Sequence, residues 1–241
     1  MSHTVMLALA AVMVGLIKGG LGPMPGALLV PLLSTTMPVA EAVGVTLPLL
    51  MVGDWFALPV YWRKWDGQAL RLMLPAAVVG VGMGVALLTT LPDSVLRHVL
   101  GAFTLIIALY KLGSDTLTAM TYHPRLWHGW LAGWGSGFGS ALANAGAPPI
   151  TAYLLLRRAA PTTFIATTVL FFLVVNLLKL PIFIATDVLD GPQLVRTLWA
   201  LPLIPVGVWL GKELLRHIDQ RQFEWLMLAL LLWTGTSLLL G

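Results

Sequence analysis

Gly15-Leu-Ile-Lys-Gly-Gly-Leu-Gly-Pro-Met-Pro-Gly26, with Ala27-Leu-Leu-Val-Pro-Leu-Leu33 directly after it, decides the reading of this chain. The stretch lies inside an apolar run that starts at Thr4, and it interrupts that run with Gly19, Gly20, Gly22, Gly26, two prolines and Lys18. A second interrupted run follows in the other half of the chain, Gly133-Trp-Gly-Ser-Gly-Phe-Gly-Ser-Ala-Leu-Ala-Asn-Ala-Gly-Ala-Pro-Pro-Ile150. Inside a bilayer every backbone N–H and C=O needs a partner, so irregular backbone persists only where protein buries it or water lines it. Two such breaks at matching places in two halves point to a transporter binding site.

The rest of the composition agrees. Of 241 residues, 58% are hydrophobic and 10% charged, and the mean hydropathy is +0.89. A soluble domain would carry about 25% charged residues. Apolar runs of roughly 20 residues, the length that crosses a hydrocarbon core, recur from end to end. The fold class expected is a single all-α polytopic membrane domain over residues 1–241. With no cysteine, disulfides, thiolate metal sites and cysteine nucleophiles are excluded. The opening Met1-Ser-His-Thr4 lacks the basic region of a signal peptide, so the N-terminus is expected to be retained. The net charge of +4 sits mostly in loop Lys and Arg beside apolar runs, which fits membrane orientation and not nucleic acid.

Eight hydrophobic blocks are expected: 4–33 (broken), 41–62, 68–90, 94–112, 127–156 (broken), 161–186, 193–211 and 221–240. The linker 113–126 separates a first repeat, about 1–112, from a second, about 127–241. Leu74-Pro-Ala-Ala-Val-Val-Gly-Val-Gly-Met-Gly84 aligns with Leu201-Pro-Leu-Ile-Pro-Val-Gly-Val-Trp-Leu-Gly211, matching at six of eleven positions. Asp66-Gly67 precedes the first and Asp190-Gly191 the second, and Gly44-Val-Thr46 parallels Ala166-Thr-Thr168. The same order and spacing indicate an internal repeat.

Charge then selects a topology. If both broken blocks were single spans, the twelve Lys and Arg outside the spans would divide evenly. If each block enters and returns, as a re-entrant hairpin or as two short crossing helices, ten of the twelve share one side and only Arg97 and Arg196 oppose them. The positive-inside rule selects the second arrangement. Each repeat is then a returning hairpin plus three spans, the second inverted relative to the first, with both termini outside the cytoplasm.

Lys18 is the sharpest candidate for chemistry. A charge in a broken span needs a partner or a cavity, and Lys18 with Gly19, Gly22 and Gly26 could hold an anion at the start of a half-helix. A lysine snorkelling at an interface is the alternative. From the second break come Ser136, Ser140 and Asn144, then Gly146, whose half-helix start offers free N–H groups. Close glycine packing explains Gly135, Gly137 and Gly139 equally well. Thr46, Thr167 and Thr168 lie at corresponding depth with Asn176 two turns on, although threonine often bonds its own helix. Asp54 is a candidate proton relay, and Lys179-Leu-Pro181 reads as a kink near an interface. The ten tryptophans cluster at span ends as an aromatic belt. No histidine pair has metal spacing and no nucleotide-binding loop is present, so no metal, cofactor or ATP site is assigned.

Gly15-Leu-Ile-Lys-Gly-Gly-Leu-Gly22 with the proline-bearing half-helix at Pro31 resembles the opening of the sulfite exporter TauE/SafE family, also called toluene-sulfonate-uptake permeases. Gly44-Val-Thr46, Tyr61-Trp-Arg-Lys64, the Pro75, Gly80 and Gly84 span and the second glycine-rich block fit it too, so the resemblance covers nearly the whole chain. It implies a bacterial-type inner-membrane carrier of sulfite, sulfonates or related organosulfur anions, often outward. In one departure, Gly22-Pro-Met-Pro-Gly26 stands where the family more often has a glycine run, and Met24 and the prolines narrow and stiffen that loop. The expected function is secondary transport of a small sulfur-containing anion by alternating access at a midplane site between the hairpins. The inside-negative potential drives anions outward with about 2.3 kcal/mol per charge per 100 mV. Its partners on this reading are the anion and the lipid bilayer, with no nucleic acid and a homodimer as a possible assembly. A channel-like pore would share the hairpins but give unsaturable flux. An intramembrane enzyme would need a clustered nucleophile and base, and a metal-cation carrier more carboxylates than Asp54 and Glu41.

Overall fold

The computed structural model describes residues 3–16, 24–117, 125–217 and 220–240. Among them are eleven α-helices and no strand. The first half contains α1 (His3–Leu16), α2 (Met24–Leu33), α3 (Val39–Ala57), a 3-10 turn (Leu58–Tyr61), α4 (Gly67–Thr90) and α5 (Asp93–Leu117). The second contains α6 (Leu126–Ala143), α7 (Ala147–Leu156), α8 (Pro161–Ala185), α9 (Gly191–Leu198), α10 (Leu203–His217) and α11 (Gln220–Leu240). Four stretches are long and apolar enough to cross a membrane: Val39–Tyr61, Gly67–Thr90, Asp93–Tyr110 and Pro161–Ala185. The chain is an all-α polytopic membrane protein.

The two Asp-Gly pairs have a common local role. Asp66 caps α4, its carboxylate accepting from the N–H groups of Gln68 and Ala69 at 3.0 Å each. Asp190 caps α9 by accepting from the Gln193 N–H, while Gln193 Oε1 accepts from the Asp190 N–H. Both satisfy donors that a helix start leaves orphaned. The block expected as one span over 193–211 is divided: α9 ends at Leu198 and α10 begins at Leu203. Pro202 is the cause, because it disfavours helical backbone at the preceding residue, and Leu201 and Leu203 close turns onto Leu198 and Ala200 instead.

The two ends of the bundle are tied separately. At one, Arg157 beyond α7 pairs with Asp66 at 2.8 Å, and the Thr167 hydroxyl of α8 accepts from the Asp66 N–H at 2.9 Å. At the other, Asp93 accepts from the Val39 N–H at 2.8 Å and pairs with Arg97 at 2.7 Å, while Arg97 also donates to the Ser34 and Met37 carbonyls. Helices α3 and α8 therefore run antiparallel.

The main packing crosses between halves, with α4 on α6, α1 on α10, α5 on α11 and α3 on α8. Two of these contacts are of the same kind. A Cβ on Gly137 of α6 would stand 2.8 Å from the Ala77 Cα of α4, and one on Gly15 of α1 would stand 2.6 Å from the Gly207 Cα of α10, against the Ile204 carbonyl. Ala77 and Ile204 occupy the same column of the Leu74 and Leu201 alignment, as do Gly80 and Gly207. Small residues let helix backbones touch, which substitutes for a hydrophobic driving force that lipid does not supply. Outward-facing Trp55, Trp62, Trp127, Trp209 and Trp233 present their rings to the surroundings, as belt residues do.

The second interrupted block is a returning hairpin. Gly146 lies on the Ser136 backbone, Pro149 approaches Gly135, and the Tyr153 hydroxyl approaches Gly129, so α7 runs back along α6. Helices α1 and α2 also pack on one another.

Candidate functional site

The tip of that hairpin is built by Asn144. Its backbone is left-handed (φ 50°, ψ 26°), a conformation that asparagine tolerates better than most residues. The Asn144 N–H donates to the Ser140 carbonyl at 3.1 Å and the Ala145 N–H to the Gly139 carbonyl at 3.0 Å, which closes α6 as a left-handed C-cap does. This cap leaves the Asn144 side chain free to link other helices. Its Nδ2 donates to the Thr46 hydroxyl at 2.6 Å and the Val43 carbonyl at 3.1 Å, both on α3. Its Oδ1 accepts from Lys179 of α8 at 2.7 Å.

Lys179 is fully buried. Its three ammonium protons match three acceptors: Asn144 Oδ1, Ser140 Oγ at 3.0 Å and the Ser140 carbonyl at 2.9 Å. The Phe183 ring, one turn on, lies 5.7 Å away and adds cation–π attraction. One turn before Lys179, the Asn176 amide donates to Asp54 Oδ2 at 3.1 Å, and Asp54 is buried within electrostatic reach of the ammonium. The buried Lys179 and Asp54, the buried Asn176, Ser140 and Thr46 and the half-buried Asn144 thus converge where α3, α8 and the α6–α7 tip meet. Ser136, one turn before Ser140, has a buried hydroxyl with no hydrogen-bond partner among the described residues.

A model of the family described as Sulfite exporter TauE/SafE matches residues 7–238 of the chain. The chain belongs to the sulfite exporter TauE/SafE family. It is therefore a membrane transporter of sulfite-exporter type. No curated protein and no solved structure gave a significant match.

In this TauE/SafE chain the expected site residues fare differently. Thr46, Ser140 and Asn144 are brought together, with Asp54 and Asn176 alongside. Gly146 is at the tip, but its tight approach to Ser136 gives it a packing role, and Pro148 and Pro149 remove two of the N–H groups that the start of α7 would have offered. Thr168 bonds its own helix through the Phe164 carbonyl at 2.9 Å and makes no side-chain hydrogen bond to the cluster among the described residues. Lys18, Gly19 and Gly22 lie outside the described residues, and Gly26 falls in the first turn of α2. Lys179 corrects the sequence reading, which made it a kink marker near an interface: it is the centre of the cluster. A signal was available, since a lysine in a span must find partners.

Asn144 provides a test of the tip. Asn144→Gly keeps the left-handed turn and loses the side-chain links; Asn144→Ala also meets a steric cost of about 1–2 kcal/mol at that backbone. Thermal unfolding in detergent should rank wild type above Asn144→Gly and that above Asn144→Ala. An alanine variant as stable as the glycine one would remove the strain argument.

Proposed function

We propose that the protein carries small sulfur-containing anions, such as sulfite or organosulfonates, outward across a bacterial-type inner membrane by alternating access. The observation that carries this reading is the Lys179 ammonium, buried among Ser140 and Asn144 at a hairpin tip inside a TauE/SafE chain. An oxyanion can take the place of those acceptors, because a sulfonate oxygen accepts the same ammonium protons with a full opposite charge. The Ser136 hydroxyl, without a partner among the described residues, fits a further donor to the same anion.

The inverted-repeat reading has independent support. Asp54 and Asn176 are 122 residues apart and bond each other. The same interval separates Thr46 from Thr168 and Gly15 from Gly137. A hydrogen bond between equivalent positions of antiparallel helices is what a pseudo-two-fold axis in the membrane plane would produce, which supports a midplane position for Asp54 and Asn176. In this register Lys18 corresponds to Ser140 and Gly22 to Asn144. Lys18, Gly19, Gly22 and Gly26 then form the first hairpin's share of the pathway, with Thr168 as the counterpart of Thr46. Rocking of the hairpins against the interlocked spans exposes the site to either side. The Asp66 end, with Arg63, Lys64, Arg71, Arg125, Arg157 and Arg158 near it, faces the cytoplasm.

Proteoliposomes containing the whole protein should give saturable fluxes of sulfite and methanesulfonate, each competing with the other. Flux that rises linearly without saturation would replace the carrier by a pore, and flux of neither anion from folded protein would end the organosulfur reading.

A further inference from the structure

We infer that Asp54 is a proton-binding site coupled to the anion site, so that each monoanion bound at Lys179 brings one proton onto the Asp54 carboxylate. This rests on the anion site proposed above and adds to it the coupling ion and the group that holds it.

The argument begins with charge. Lys179 and Asp54 are both buried, and each ion alone would be costly in that setting. Together they are neutral: the carboxylate offsets the ammonium, and Asn176 and Asn144 supply neutral hydrogen bonds to the two groups. A monoanion arriving at the ammonium upsets this balance and leaves the buried cluster with one net negative charge. Asp54 is the group that can remove it, since carboxylate plus proton gives a neutral carboxyl, with the proton drawn from water on whichever side the site is open. Ammonium, carboxylate, anion and proton then sum to zero. No bond other than the O–H of Asp54 forms, and no electron moves.

The surroundings offer no better acceptor among the described residues. Of the elements packed on α3, α8 brings Lys179 to Asp54. Asp93, Arg97 and His98 begin α5 at the opposite end of α3, where the first two bind its start and the Ser34–Met37 turn. Tyr61 of the 3-10 turn, Arg71 of α4 and His128 of α6 lie towards the Asp66 end, and Glu41 is in the first turn of α3. Tyr110 is far along α5, and α2 carries no titratable residue. The Asn176 bond fixes one carboxylate oxygen, and as an amide it can serve either protonation state by turning its own carbonyl to the carboxyl.

A carrier built this way moves a monoanion electroneutrally. The membrane potential then has no hold on the loaded form; outward movement runs down the anion's own gradient, and an acidic exterior opposes it.

The test uses the detergent-solubilised full chain, methanesulfonate as a permanently anionic probe and a pH dye in weak buffer. Wild type should take up about one proton per anion bound, and its affinity should fall about tenfold per pH unit where Asp54 is ionised in the unloaded protein, as linkage requires. Asp54→Asn should bind methanesulfonate with no proton uptake and no such slope; Asp54→Glu should restore both. Wild-type binding without proton uptake, or uptake unchanged in Asp54→Asn, would overturn the coupling and leave the anion site intact. Failure of wild type to bind methanesulfonate would overturn the anion site and the coupling together. Should Asp54→Asn fail to fold, Asp54→Glu decides, since its different carboxyl should move the pH at which the slope breaks, and an unmoved break would overturn the assignment to Asp54.

Discussion

Lys179→Met should reduce sulfite and methanesulfonate flux by two orders of magnitude or more while leaving a protein that still inserts. The ammonium donates to Ser140 twice and to Asn144 once, with no exposure to dilute any of these bonds. Removing one partner of a buried charge–anion contact costs about 3 kcal/mol or more, which corresponds to roughly 100-fold in binding. The apolar replacement fills similar volume, but Ser140 Oγ and Asn144 Oδ1 lose their donor and Asp54 its counter-charge, so the melting temperature should also fall. Lys179→Arg keeps the charge without restoring flux, because a planar guanidinium cannot occupy a fully enclosed position shaped for an ammonium. The measurement is initial flux per folded protein, with folding checked by gel filtration and thermal unfolding. Wild-type flux from a folded Lys179→Met would move the anion away from this cluster.

The second large effect falls on the fold. Gly137→Leu should destabilise the protein by about 3 kcal/mol or more, at or beyond the upper end of overpacking costs. Its first added atom already meets the Ala77 backbone of α4, and backbone cannot rotate out of the way as a side chain can. Helices α4 and α6 would separate, and α6 carries Ser140 and the tip. Gly82→Leu on α4 is the matched control: a Cβ there meets nothing within 4 Å and faces outward. Thermal unfolding of the two variants beside wild type checks the claim. Equal losses in both would mean that leucine in any of these spans, and not the α4–α6 contact, is responsible.

The fold was largely legible because the signals that fix it are local. Apolar runs of spanning length marked the helices, and glycine with proline marked the tip of the second hairpin. The two Asp-Gly pairs marked helix starts whose caps depend on residues only two or three positions away. The 193–211 block misled because its average hydropathy hides one proline, and a single Pro202 is enough to divide it. The candidate site was half legible. Asn144, Ser140 and Thr46 stood beside or at matching depth to the breaks. Lys179 did not, since its partners are 35 and 39 residues distant in sequence and meet it only through the packing of α8 on the tip. Thr46 and Thr168 looked equivalent in sequence, yet the Asn144 amide reaches the first, while the second turns to its own helix.

The cross-half packing also bears on how the chain is made. Gly15 of α1 finds its matching surface on α10, whose Gly207 is synthesised almost two hundred residues later. Until then the glycine face of α1 has only lipid against it, and lipid gives small residues little reason to stay put. The first half therefore leaves the ribosome as an unfinished surface whose packing partners are still to be made. A chain truncated after α9 should be degraded faster than the full chain, because α10 and α11, which cover α1 and α5, are both missing.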